Sequence, residues 1–128
     1  MTLIDSSAWV EYLRDGDVRT ADAVERLLVD GGALTEPVVM EMLAGARSGT
    51  HGEQIRTLLG MVDLLPVAAD DWASAALLYR LCRVNGRTVR SMVDCLIAAV
   101  AVRHDVPVLA RDRDFEALAE HTPLRLAA

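Results

Sequence analysis

One stretch decides how this chain folds: Ser91-Met92-Val93-Asp94-Cys95-Leu96-Ile97-Ala98-Ala99-Val100-Ala101-Val102. From Met92 to Val102 every residue except Asp94 is apolar, so a helix through this stretch is apolar on all sides. A helix of that kind belongs in the middle of a domain, covered on every face. The stretch therefore predicts a buried helix that carries one carboxylate, Asp94, close to its beginning.

Asp94 needs an explanation, because an unpaired ionised carboxylate is costly in a low-dielectric interior. One explanation is a capping box, in which Ser91 caps the helix and the Asp94 carboxylate accepts a hydrogen bond from a backbone N–H. The other is that Asp94 is a metal ligand at the start of the buried helix. The two explanations are compatible, and this stretch alone favours neither.

Chain length and composition predict one domain, residues 1–128, long enough to bury roughly two-thirds of its unfolded surface. Apolar residues make up 52% of the chain, which is high for a domain of this size. We therefore expect a homodimer that covers part of the apolar surface.

The chain has no pattern of a membrane or secreted protein. Its longest apolar run, Cys95–Val102, is too short to span a membrane, and Asp5 interrupts the first apolar residues before a secretory signal could form. Cys82 and Cys95 have no metal-binding spacing and are expected to be buried, reduced thiols. These features predict a cytoplasmic protein that is not attached to a membrane.

The net charge of −6 argues mildly against a basic nucleic-acid-binding face. Carboxylates gathered in one metal site would, however, mask a local basic surface. All thirteen basic residues are arginine, which excludes mechanisms that need a catalytic or phosphate-binding lysine. Arginines cluster at the end of a predicted helix, where they either bind phosphate or simply complement the helix dipole: Arg80, Arg83, Arg87 and Arg90.

Short apolar runs alternate with helical patterns along the chain. The predicted strands cover residues 2–4, 33–35, 62–67, 106–110 and 123–126. The predicted helices cover residues 6–13, 18–30, 36–46, 53–61, 70–84 and 91–102, with a short last helix ending at residue 120. This alternation predicts an α/β fold in which helices cover both faces of a short, mainly parallel sheet.

Acidic side chains follow the predicted strands. Asp5 ends the first strand, Asp112 and Asp114 follow a later one, Asp94 heads the buried helix, and Glu41 lies on a neighbouring helix. Ligands of parallel sheets bind outside the carboxyl ends of the strands, so these residues are expected to converge. Mg²⁺ and Mn²⁺ prefer carboxylate oxygens and relieve their repulsion. For Asp5 a plain helix N-cap is the competing interpretation.

Four blocks of sequence, in order, resemble those of the PIN-domain ribonucleases, and most of all the VapC-type toxins of bacterial toxin–antitoxin pairs. The blocks are Leu3-Ile4-Asp5-Ser6-Ser7-Ala8-Trp9, Glu41-Met42-Leu43-Ala44-Gly45-Ala46-Arg47, Asp94-Cys95-Leu96-Ile97-Ala98-Ala99 and Arg111-Asp112-Arg113-Asp114-Phe115. Their order and spacing, from Leu3 to Phe115, span essentially the whole chain. Two positions depart from the family pattern: Ser6, where Thr is common, and Ala110, where a hydroxyl residue often stands.

The resemblance implies a PIN-like three-layer α/β/α fold and a Mg²⁺- or Mn²⁺-dependent endoribonuclease. The residues that fall on the family's acidic catalytic quartet are Asp5, Glu41, Asp94 and Asp112. The implied metal ligands are Asp5, Asp94, Asp112 and Asp114.

The resemblance also implies partners. The family typically forms homodimers, cleaves RNA and is silenced by a small antitoxin whose tail occupies the acidic groove. Arginine side chains usually face the RNA or the antitoxin, which makes Arg87 and Arg111 the candidates here.

Two other classes of protein share some of these features. Phosphotransfer domains of the receiver and haloacid types also gather aspartates at strand ends, but both resemblances require a lysine, which this chain lacks. The second is a non-catalytic interaction domain that keeps the fold and uses its acidic cleft to bind a basic peptide. The complete set of carboxylates favours the enzyme over this alternative.

Overall fold

Four short parallel strands form the centre of the protein. A computed structural model describes residues 1–127, and Ala128 lies outside the described residues. The strands are β1 (Thr2–Ile4), β2 (Gly32–Leu34), β3 (Asp63–Leu64) and β4 (Val108–Leu109). Their order in the sheet is β3-β2-β1-β4, and every neighbouring pair is parallel.

Helices cover both faces of this sheet. They are α1 (Ser6–Leu13), α2 (Val18–Asp30), α3 (Glu36–Ala44), α4 (Gly49–Leu59), α5 (Ala69–Val84), α6 (Met92–His104) and α7 (Arg113–His121). The predicted three-layer α/β/α fold with a short parallel sheet is thereby confirmed. Within residues 1–127, none of these helices combines the length and the apolarity that crossing a bilayer requires.

The predicted buried helix is α6. Every residue from Asp94 to Ala101 is buried, and α6 packs against α3, α5 and α7. Cys82 of α5 and Cys95 of α6 are both buried and free, as expected. Because so much apolar surface surrounds α6, the position of Asp94 is set by the packing of the whole core.

The order of the strands creates a switch point beside β1. The chain runs from β1 through β2 to β3 on one side, and then adds β4 on the other side of β1. Ile4 pairs with Leu109, and the Asp5 N–H donates to the Leu109 carbonyl at 2.9 Å. Open parallel sheets bind ligands at such a point, where two neighbouring connections diverge.

Several boundaries differ from the sequence-based prediction. Residues 48–52 were predicted to break the chain, but α4 begins at Gly49, because the Ser48 hydroxyl caps it by accepting from the His51 N–H at 3.1 Å. The predicted strands at 62–67 and 106–110 shorten to β3 and β4. The predicted last strand is reduced to one bridge between Val108 and Leu126.

An ion pair joins α5 to α6. Asp71, only 1% exposed, accepts from the Arg103 Nε and Nη2 atoms at 2.9 Å each and from the Ala68 N–H at 2.7 Å. Arg103 also donates to the Pro66 carbonyl at 2.7 Å. Burial acts to raise the pKa of Asp71, but these hydrogen bonds outweigh it and lower the pKa. Asp70 and Asp71 both lie in the first turn of α5, as predicted.

We predict that Asp71→Asn lowers the free energy of unfolding by about 2 kcal/mol, because it weakens charge-assisted hydrogen bonds and leaves Arg103 without a countercharge. Urea denaturation at pH 7 measures the change. Asp70→Asn is the matched control, because the exposed Asp70 side chain makes no hydrogen bond or ion pair within residues 1–127. Equal effects of the two variants would contradict the prediction.

Candidate active site

A cavity of about 490 Å³ opens at the switch point. All five acidic residues proposed from the sequence line it: Asp5, Glu41, Asp94, Asp112 and Asp114. The rest of the lining is Ser6, Ser7, Val10, Glu11, Arg90, Ser91 and Arg111. The fold therefore brings together carboxylates that are up to 109 positions apart in the chain (114 − 5).

Asp5 is held by one of its two oxygens. Its Oδ2 accepts from the Ser7 N–H at 3.0 Å and from the Ser7 hydroxyl at 2.6 Å, so Asp5 is the N-cap of α1. Its Oδ1 is buried and has no hydrogen-bond partner among the described residues. The capping interpretation is thus correct, and it leaves one oxygen free to bind a ligand. A buried acceptor without a partner is costly, which itself points to a missing ligand.

Ser7 ties two strand ends together. Its hydroxyl donates to Asp5 and accepts from the Arg111 N–H at 2.8 Å. This contact joins the segment after β1 to the segment after β4, across the switch point. It fixes the orientation of the Asp5 carboxylate relative to Asp112.

Glu41 reaches the cavity from α3. Its Oε1 accepts from the Ser6 hydroxyl at 3.1 Å. Burial raises the pKa of Glu41, and the charges of Asp5 and Asp112 raise it further. The Ser at position 6, a departure from the family pattern, thus supplies the hydroxyl that holds Glu41.

Asp94 is the third residue of α6, and of the two explanations for its carboxylate the capping box does not form. Ser91 makes no side-chain capping bond in the part of the chain that the structure describes. Asp114 instead secures the start of α6, because its Oδ2 accepts from the Arg90 N–H at 3.1 Å and the Ser91 N–H at 3.2 Å. The Asp94 carboxylate is therefore not consumed by capping.

Asp112 and Asp114 come from the start of α7. Asp112 is the N-cap, and its Oδ1 accepts from the Asp114 N–H at 2.9 Å. Oxygen atoms of Asp94, Asp112 and Asp114 all lie within 4.8 Å of one another. Carboxylates at such distances repel each other unless a proton or a cation is shared among them.

The electrostatics of the cavity follow from this crowding. Burial raises the pKa of Asp94 to about 8, helped by the charges of Asp5 and Asp112. Burial likewise raises the pKa of Asp5, although the hydrogen bonds from Ser7 oppose the change. For Asp114, burial is outweighed by hydrogen bonds from Arg90, which lower its pKa.

The arginines that line the cavity are Arg90 and Arg111, whereas the sequence predicted Arg87 and Arg111. Arg111 lines the cavity and forms ion pairs with Glu11 at 3.5 Å and Asp17 at 3.4 Å. Arg87 lies outside it and pairs with Glu120 at 3.2 Å. Arg90 was assigned no role at the acidic site from the sequence, yet it contacts Asp112 at 3.0 Å and Asp114 at 3.3 Å.

The donor set fits a hard divalent cation. Oxygen ligands alone converge, three carboxylates lie within reach of one ion, and the buried Asp5 Oδ1 lacks a partner among the described residues. Mg²⁺ and Mn²⁺ favour carboxylate and water oxygens of this kind. The residues that could hold such an ion are Asp94, Asp112 and Asp114, whose oxygens converge, together with Asp5, whose buried Oδ1 lacks a partner among the described residues. Asp114 is the least free of the four, because both of its oxygens accept hydrogen bonds from residues 90 and 91.

Comparisons with known proteins agree with this architecture. The family model described as the PIN domain matches residues 2–121. Ribonuclease VapC11 of Mycobacterium tuberculosis is 44% identical over 132 residues, which cover 100% of this chain and 98% of the relative. The chain therefore belongs to the PIN domain family and, within it, to the VapC group.

Solved structures have the same fold. VapBC-5 of Mycobacterium tuberculosis, a member of the VapBC family of toxin–antitoxin systems, matches at 27% identity with a TM-score of 0.68, covering 98% of this chain and 95% of the other. FitAcB of Neisseria gonorrhoeae matches at 21% identity with a TM-score of 0.78, covering 100% of this chain and 97% of the other.

The pKa of Asp94 predicts a pH-dependent effect of removing its charge. In the metal-free protein, native Asp94 keeps a proton that the unfolded chain loses above about pH 4, so the free energy of unfolding falls as the pH rises from about 4 to 8. The Asp94→Asn variant has no carboxyl proton at this position, so its free energy of unfolding does not fall in this way. Its free energy of unfolding relative to the wild type should therefore rise by about 3–4 kcal/mol between pH 5 and pH 8.

Urea denaturation in EDTA at the two pH values measures this difference. Asp70→Asn, which removes an exposed carboxylate, should show no such trend. If the free energy of unfolding of Asp94→Asn relative to the wild type stays level or falls with pH, then burial and neighbouring charges do not raise the pKa of Asp94 as described.

Proposed function

We propose that the protein is an endoribonuclease that depends on Mg²⁺ or Mn²⁺ and acts as the toxin of a toxin–antitoxin pair. One observation carries the proposal: Asp5, Glu41, Asp94 and Asp112 line one cavity. The 44% identity to a protein named as a ribonuclease, over the full chain, supports RNA as the substrate.

Asp5, Asp94 and Asp112 hold the divalent ion, and Glu41 faces the same cavity. A divalent ion in such a site lowers the pKa of bound water and stabilises negative charge on a phosphodiester. Asp5 offers its free Oδ1, while Ser7 keeps the carboxylate from rotating.

Glu41 accepts the proton of the attacking water. Its pKa is raised by burial and by the charge of Asp5, which brings it closer to the working pH of a general base. The Ser6 hydroxyl holds one of its oxygens, and the other accepts no hydrogen bond within residues 1–127. Arg111, held by Glu11 and Asp17, is the cation at the cavity wall that meets an RNA phosphate.

A small antitoxin is the proposed protein partner. A groove of about 340 Å³ adjoins the acidic cavity and shares Val10 and Glu41 with it. Val10 and Leu13 are 42% and 46% exposed in this groove, so it offers apolar contacts next to a charged site. A partner with an apolar helix and a basic tail suits that combination, and the structural relative VapBC-5 belongs to a family of toxin–antitoxin systems.

We predict that Asp94→Asn and Asp5→Ala abolish cleavage while the protein stays folded, because each removes a metal-holding oxygen. Glu41→Gln should slow cleavage by about 100-fold or more, because it removes the proton acceptor. The measurement is cleavage of a structured RNA in Mg²⁺ or Mn²⁺ by protein freed of any copurified inhibitor, with circular dichroism as the test of folding.

Glu116→Gln is the matched control for Glu41→Gln, because Glu116 is exposed and lies outside the cavity lining. EDTA should stop cleavage by the wild type, and Mn²⁺ should restore it. A wild-type protein that cuts no RNA with either metal would contradict the proposal and favour a domain that only binds a basic peptide.

We also propose a homodimer. Large apolar side chains stay exposed in the described chain, among them Trp72 at 65% and Met40 at 57%. Light scattering at micromolar concentration should give twice the mass of the chain, because burying such surface favours association. A monomeric mass would contradict this.

A further inference from the structure

Arg90 lies at the boundary between two cavities. It lines the acidic cavity and also a smaller one of about 200 Å³ beside it. The smaller cavity is lined further by Arg87, Thr88, Arg113, Asp114 and Ala117. The Arg90 side chain is 63% exposed, so it is free to move.

The guanidinium of Arg90 binds two carboxylates of the cluster at once. Its Nη2 donates to the Asp112 Oδ1 at 3.0 Å, and its Nε donates to the Asp114 Oδ1 at 3.3 Å. One cation thus bridges two of the three carboxylates whose oxygens converge. Asp112 is a proposed metal ligand, so guanidinium and metal ion compete for the same residue.

The Arg90 side chain is not needed to position Asp114. The Asp114 Oδ2 accepts from the backbone N–H groups of Arg90 and Ser91 at 3.1 and 3.2 Å. Those bonds remain when the side chain is changed. The contribution of the side chain is therefore its charge, which offsets the repulsion among Asp94, Asp112 and Asp114.

The other cavity arginine does not share this role. Arg111 forms its ion pairs with Glu11 and Asp17, away from the three converging carboxylates. Among the residues described, Arg90 is the one cation with ion pairs to that cluster.

We propose that Arg90 is an internal counter-cation that occupies Asp112 in the metal-free protein and must yield it when a divalent ion binds. The displaced guanidinium turns toward solvent, to which 63% of the Arg90 side chain is already exposed. Arg90 thereby stabilises the metal-free protein and weakens its affinity for metal. This inference rests on the proposed metal site.

The test is a Mn²⁺ titration of the purified protein by isothermal calorimetry at pH 7.5, with four variants. Arg90→Gln keeps a polar side chain without the charge and should bind Mn²⁺ about tenfold more tightly, because a positive charge a few ångströms from the ion is removed. Arg90→Lys keeps the charge and should stay within about threefold of the wild type.

Arg113→Gln is the matched control. It removes the same charge beside the site, yet the Arg113 side chain makes no hydrogen bond or ion pair within residues 1–127. Its Mn²⁺ affinity should change less than that of Arg90→Gln. Asp94→Asn should lose Mn²⁺ binding, which ties the measured heat to the acidic cavity.

A second readout needs no metal. In EDTA, Arg90→Gln should lower the Tm by about 3 °C, because the carboxylates lose their counter-cation, whereas Arg113→Gln should not. Saturating Mn²⁺ should then raise the Tm of Arg90→Gln by more than it raises that of the wild type.

The outcomes separate the two proposals. If the wild type binds no Mn²⁺, the metal site and the role of Arg90 both fall. If the wild type binds Mn²⁺ and Arg90→Gln binds it equally or more weakly, the competition is refuted and the metal site stands.

Discussion

Repulsion among buried carboxylates is the constraint on which the rest of this structure depends. Asp5, Asp94 and Asp112 belong to three different parts of the fold; the charges of Asp5 and Asp112 raise the pKa of Asp94, and the charge of Asp112 raises the pKa of Asp5. Apolar packing holds them in place, because α6 is buried from Asp94 to Ala101 and Asp5 follows the central strand β1. The stability of the core is what keeps like charges together, as metal sites require.

The polar contacts around the cavity divide the carboxylates into two groups. Asp5 and Glu41 are each fixed through one oxygen, by Ser7 and Ser6, and keep the other for a ligand. Both oxygens of Asp114 accept hydrogen bonds from residues 90 and 91, so Asp114 supports the start of α6. The same residue type therefore binds a ligand or maintains the scaffold according to how many donors reach it.

Much of this arrangement was predictable from the sequence, for identifiable reasons. The buried helix α6 follows from an apolar run with no polar face, and the placement of Asp5 follows from the strand and helix on either side of it. The early start of α4 was missed because two glycines concealed the cap at Ser48. The role of Arg90 was missed because no pattern within one element shows that α7 supplies its partners.

The most direct test of the account is anomalous diffraction from crystals of the protein soaked in Mn²⁺. The account predicts one strong anomalous peak or more inside the acidic cavity, coordinated by Asp5, Asp94 and Asp112 at about 2.0–2.2 Å, as for other small hard cations. Peaks found only on the outer surface, or a cavity without one at saturating Mn²⁺, would contradict it.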